Sequence, residues 1–237
     1  MSYGYGYGFY YDWTYILVLI GAVLSMWASF RVNSTYSKFA KVRSSAGMTG
    51  AQTAECILRN QGINDVRIEH IRGNLTDHYD PTRKVIRLSD SVYNSTSVAA
   101  IGVAAHECGH VIQHHTDYAP LKIRTSLVPA ANIGSRLGIP IIFLGLILGS
   151  NATLIQIGIW VFALAVLFQV VTLPVEFDAS RRALACIERY GIVNVEERRK
   201  SAKVLRAAAF TYVAAAMTAI LQLLRLILLF GGNRRND

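Results

Sequence analysis

The apolar residues of this chain gather into long runs rather than recurring at the period of a soluble amphipathic helix. Residues 13–30 are uncharged and apolar, enough to cross a hydrocarbon core at about 1.5 Å per residue with interfacial ends. Residues 137–149 are strictly apolar but short, so that crossing is expected to borrow from 127–136, with Arg136 snorkelling or facing a polar cavity. Residues 152–175 make a full span, joined to the previous one by little more than Ser150 and Asn151, so 127–175 reads as a tight membrane hairpin. Residues 207–230 are apolar apart from Gln222 and Arg225 and are long enough for a fourth span, the alternative being an Ala-rich helix against the rest of the protein. A Tyr/Gly tail (1–12) and a polar tail (231–237) flank these runs.

Between the spans the pattern turns mixed and polar. In residues 31–126, Thr49 is expected to cap a helix to Asn60 with Gly62 at its stop, and Val66/Ile68 and Ile86/Leu88 alternate as in short strands. Asp80-Pro81-Thr82-Arg83 signals a turn, and a helix starting near Ser95 or Thr96 runs to the His114-His115 pair. Pro174 suits the first turn of a new helix that stops at Gly191, and Asn194 with Glu197 forms a capping box for the last one. The expected fold class is α+β, mostly helical, in a multi-pass membrane protein.

Charge orients this picture. A net charge of +9 would raise nucleic acid as a partner for a soluble protein, but no basic stripe with interleaved aromatics occurs. Of 24 Lys and Arg, 12 lie in residues 31–126 and 8 in 176–206, with none in the first tail or the hairpin tip. By the positive-inside rule both basic segments (31–126 and 176–206) belong in the cytoplasm, on the inner face of the cell membrane. Arg234 and Arg235 run against the pattern if the last helix crosses. A cleaved signal peptide is not expected, because the basic residues follow the first apolar run rather than precede it. Cys56, Cys108 and Cys186, odd in number and far apart, make no disulfide framework.

The chemistry concentrates at His106-Glu107-Cys108-Gly109-His110, an HExxH motif on a predicted helix. Residues four apart stack on one helical face, so both imidazoles reach a single ion, with Glu107 beside them to take a proton from the attacking water. A catalytic zinc site takes three protein ligands. His114 lies eight residues from His106, about 12 Å along the axis, and His115 is further still and turned away, so both suit the polar helix end instead. Glu176 is the better third ligand, since two membrane crossings return the chain to the compartment of the HExxH helix. Asp178 either orients a ligand imidazole from behind or is a carboxylate favoured near a helix start.

The segments AAHECGHVIQH, LTDHYDPTRKVIRLSDSVYN and LPVEFDASRRA resemble the YugP-like family of neutral zinc metallopeptidases of bacterial membranes over nearly the whole chain. The resemblance implies a small gluzincin-type domain with one zinc ion held by His106, His110 and Glu176, and Glu107 as base and later proton donor. The order of parts is more distantly similar to HtpX-type and CAAX-prenyl endopeptidases, where the ligand glutamate is followed four residues later by an aspartate; here that position is Ser180. It further implies an edge strand near 75–79 or 85–88 that takes substrate as an added strand, with His78 and Tyr79 as candidate oxyanion donors beside their ordinary loop and packing roles.

The function expected is zinc-dependent hydrolysis of peptide bonds, with membrane lipids as surroundings and a peptide or membrane-protein segment as substrate. A hydrolase of a lipid-linked or small amide, and a membrane scaffold with a structural zinc, are the alternatives.

Overall fold

The computed structural model describes residues 12–231; the sequence readings for residues 1–11 and for Arg234 and Arg235 lie outside these. The described chain is mostly helical, with α1 (Tyr15–Phe39), α2 (Gly50–Asn60), α3 (Val98–His115), α4 (Ala119–Ile147), α5 (Ala152–Arg189) and α6 (Val195–Phe230), and with strands β1 (Arg67–Ile71), β2 (His78–Asp80) and β3 (Val85–Ser89) between α2 and α3. Of these, α1, α4, α5 and α6 are long and apolar enough to cross a membrane.

The local signals act as expected at several ends. Thr49 caps α2 in a full capping box with Gln52, and Asn194 and Glu197 form the box that opens α6, while α3 is capped by Ser97, slightly later than the expected Ser95 or Thr96. Asp80 accepts hydrogen bonds from the amides of Thr82 and Arg83, closing the turn from β2 into β3. The strand order is β1-β3-β2, with β1 parallel and β2 antiparallel to β3. β3 is central and its Val85, Ile86 and Leu88 are all buried, so of the two segments expected to offer a free edge only that around β2 does so.

Another boundary differs from the sequence reading. Pro174 opens no new helix: α5 runs through it as one 38-residue rod from the hairpin tip to Arg189. Proline costs one amide donor, but its φ is helical and the residues around it, Thr172, Val175 and Glu176, are buried, so packing overrides the break. The helix that carries the first hairpin crossing begins at Ala119, with Pro120 in its first turn, and Pro129 and Pro140 inside it.

The four long helices run side by side. α1 and α6 are antiparallel: Arg225 binds Asp12 at 2.9 Å, Thr218 meets Ser25 at 3.1 Å, and the Trp27 and Phe210 rings sit 4.9 Å apart. Arg225 is therefore paired at the end of the bundle opposite Phe39. α4 and α5 approach closely because glycines line their seam: a Cβ on Gly138 would lie 2.8 Å from that of Phe162. Arg136 is exposed on the outside of the hairpin. Large apolar side chains cover the outer surface, among them Phe30 (71% exposed), Trp160 (68%) and Phe143 (62%). Such a surface is stable against lipid and not against water.

At the Phe39 end of the bundle α3 is almost wholly enclosed, packed by Ile57 and Leu58 of α2, Ile86 and Leu88 of β3, and Ala183 and Ile187 of α5. Glu197 fastens this part together. Its carboxylate accepts from the Ser45 amide at 2.6 Å, the Ser45 hydroxyl at 3.0 Å and the Asn194 amide at 3.0 Å. Desolvation pushes the Glu197 carboxyl up, but the donors of Asn194 and Ser45 outweigh it and hold it below the usual range. A lowered folded-state pKa means that its stabilisation is present above the ordinary glutamate value and is lost as pH falls through the folded one. Glu197→Gln is expected to cost about 2 kcal/mol at pH 7, with the gap from wild type closing below about pH 4.5, measured by thermal unfolding in detergent across pH.

Candidate metal centre

Two helices build the site. α3 presents His106, Glu107 and His110, and α5 presents Glu176. Their separation is set by Gly109, between the two histidines: a Cβ there would stand 2.4 Å from the Ala179 carbonyl oxygen, so only glycine lets the backbones meet. At this approach Glu176 Oε2 lies 3.3 Å from His106 Nε2 and 3.7 Å from His110 Nε2, and the three donor atoms fall within 4.8 Å of one another. Glu176 is 3% exposed, and its Oε2, though buried, has no hydrogen-bond donor. A buried carboxylate oxygen left facing two imidazole nitrogens is stable only with a cation between them or a shared proton, and this donor set fits zinc.

The far side of each imidazole is held as a metal ligand requires. Gln113, fully buried, donates its two amide hydrogens to the Val175 carbonyl at 2.8 Å and to Asp178 Oδ2 at 2.9 Å. Its Oε1, 3.1 Å from His110 Nδ1, is left only to accept, so that nitrogen carries the proton and Nε2 keeps its lone pair for the cluster. The Ser180 hydroxyl lies 3.1 Å from His106 Nδ1 and can accept its proton, which would leave Nε2 of that ring facing the cluster as well. Asp178 touches neither imidazole; it reaches His110 through Gln113 and is clamped by Arg181 and by Arg182 at 2.6 Å. Burial pushes its carboxyl up, but Gln113 and the two arginines more than reverse this and hold it below the usual range.

Glu107 is 7% exposed, and desolvation raises its carboxyl above the usual range in spite of the two neighbouring histidines. It lines, with all three donor residues, a cavity of about 560 Å³. β2 contributes His78 and Tyr79 to the cavity wall, α4 contributes Arg124, and α6 contributes Tyr212. His78 is spent on structure: Arg87 donates to its Nε2 at 3.3 Å and its Nδ1 faces the Thr76 carbonyl at 2.9 Å, leaving no proton for a substrate. His115 binds the Val111 carbonyl at 3.0 Å and Asp65 at 3.1 Å, while His114 stands against Tyr79 with ring centroids 6.2 Å apart.

The residues that sequence reading passed over are Gln113, Tyr212 and Arg124, and Ser180 was named there only as the place of a missing aspartate. Gln113 left a trace, since a polar residue three after His110 and seven after His106 shares their face of an apolar helix.

A family model described as "putative neutral zinc metallopeptidase" matches residues 14–231. The chain belongs to this family. Among curated proteins, the metallopeptidase is 47% identical over 221 residues to "Putative membrane protease YugP" of Bacillus subtilis (strain 168), covering 93% of this chain and 98% of that protein. No solved structure matches it.

Gln113→Leu is expected to weaken zinc binding about 10–100-fold, measured by competition with a chromophoric chelator, because His110 loses the acceptor that fixes its tautomer. Affinity equal to wild type would show that the ring needs no such partner.

Proposed function

We propose that this membrane metallopeptidase is a zinc-dependent endopeptidase, with one zinc ion held by His106, His110 and Glu176 and with Glu107 as its acid and base. The observation carrying this reading is the placement of the unsatisfied Glu176 oxygen and both Nε2 atoms beside Glu107 in one substrate-sized cavity edged by a free strand. Zinc, when bound, supplies Lewis acidity that acidifies water and polarises the scissile carbonyl. Glu107 takes the proton of the attacking water and, as the acid it then becomes, returns it to the leaving amine. Its burial favours the protonated form and so the second half of that cycle. Tyr212, lining the same cavity, is the donor we assign to the carbonyl oxygen as charge builds there. An extended peptide adds to the free edge of β2 through main-chain hydrogen bonds.

The same reading places residues 13–30, 127–175 and 207–230 in the bilayer, and 31–126 with 176–206 on the cytoplasmic face of the cell membrane. It is supported by the gathering of the two basic segments at one end of the helix bundle. Substrates are then peptide segments or membrane-protein parts at that surface.

Glu107→Gln is expected to keep its zinc, measured by elemental analysis, while cleavage of an unfolded protein falls by about 10²–10⁴-fold. Zinc retained with cleavage unchanged would remove Glu107 from the mechanism, and lipid-linked amides cleaved in preference to peptides would reassign the substrate. Tyr212→Phe is expected to lower kcat by about 10²-fold with KM little changed.

A further inference from the structure

Arg124 is the one side chain of the cavity wall whose charge nothing in the described structure answers. No carboxylate of the described residues lies within salt-bridge distance of it, and its Nε is buried without a hydrogen-bond partner. Its guanidinium faces the ring of Phe168 at 5.8 Å, a contact that steadies the plane of the group but accepts none of its hydrogen bonds. Three acids share the cavity and none pairs with Arg124: Asp77 takes the Ser89 amide at 2.8 Å and the Ser89 hydroxyl, Glu176 faces the two imidazoles, and Glu107 stands beside those imidazoles on α3. The neighbouring arginines on α5 are both satisfied by Asp178. Leaving a planar, five-donor cation half-buried and unmatched is costly unless a partner arrives from outside; carboxylates and phosphates match that fork, and of the two a peptide substrate carries the carboxylate.

We propose that Arg124 is a specificity residue for the peptidase reading above, on which this inference rests: it binds a carboxylate carried by the substrate. The carboxylate belongs either to an aspartate or glutamate close to the scissile bond or to a free C-terminus. In both cases the contact forms in the cavity that holds the metal cluster, so it selects which peptides are held across it. The Phe168 ring keeps the guanidinium in place.

The test uses the zinc-loaded full chain in detergent and fluorogenic peptides in matched pairs, one set differing by aspartate against asparagine and the other by C-terminal acid against amide. Wild type is expected to prefer the acidic member of one set by about 10–100-fold in kcat/KM, the size of one charge-assisted hydrogen-bonded contact, and the set that shows it identifies the source. Arg124→Gln is expected to bring that ratio to about one, Arg124→Lys to leave it in between, and Arg124→Glu to invert it in favour of lysine-bearing peptides. A ratio of one in wild type overturns the proposal whether or not the variants fold, as does an acid preference that survives Arg124→Gln. If no peptide is cleaved in a Glu107-dependent way, the peptidase reading fails by itself. The subsite is then judged by fluorescence anisotropy of labelled acid and amide peptides on the Glu107→Gln protein, with and without Arg124→Gln, where equal binding of both members overturns it.

Discussion

The backbones of α3 and α5 touch at Gly109 and Ala179, and the rest of the site depends on that contact. A methyl group at residue 109 would meet a carbonyl oxygen at 2.4 Å, and the helices would have to part. Because they do not, one turn of α3 faces one turn of α5. Glu176 and Ser180, four residues apart on α5, then come to opposite sides of the histidine rings: one to the Nε2 atoms and the other to a Nδ1. Gln113, one turn further along α3, uses the same approach to reach Val175 and Asp178. The metal cluster is therefore a property of two rigid helices in register rather than of a loop.

That register is supplied from the membrane. The glycine seam of the hairpin fixes how α5 leaves α4, and α6 returns along α1 through the contacts at Phe210, Thr218 and Arg225 before the chain ends. Without water to drive association, close packing and a few polar pairs must hold these helices together. Arg225 illustrates the economy: set between Asp12, Thr14 and the face of Tyr15, it serves as the polar tie between the first and last helices.

What could be read from sequence was whatever rests on local period and spacing. The HExxH pair, the caps at Thr49 and Asn194, the β2–β3 turn and the four apolar runs are each decided within a few residues, and the helices form where those patterns stand. The hairpin also made Glu176 legible, because returning to the same side requires only a count of crossings. Ser180, Tyr212 and Arg124 were not legible, since their place depends on how α5, α6 and α4 are rotated against α3, which no single segment encodes. Pro174 misled for the converse reason: the local rule for proline is real, but a helix held by buried neighbours on both sides of it is not obliged to stop there.

The continuity of α5 has a mechanical meaning. A helix that begins at the hairpin tip and ends at Arg189 carries its membrane tilt directly to Glu176, with no joint between the lipid-facing portion and the carboxylate. The one softened point in that rod, where a proline withholds a hydrogen bond, lies two residues before Glu176. The carboxylate that faces the histidine pair is thus borne on the same rod that makes the second arm of the apolar hairpin.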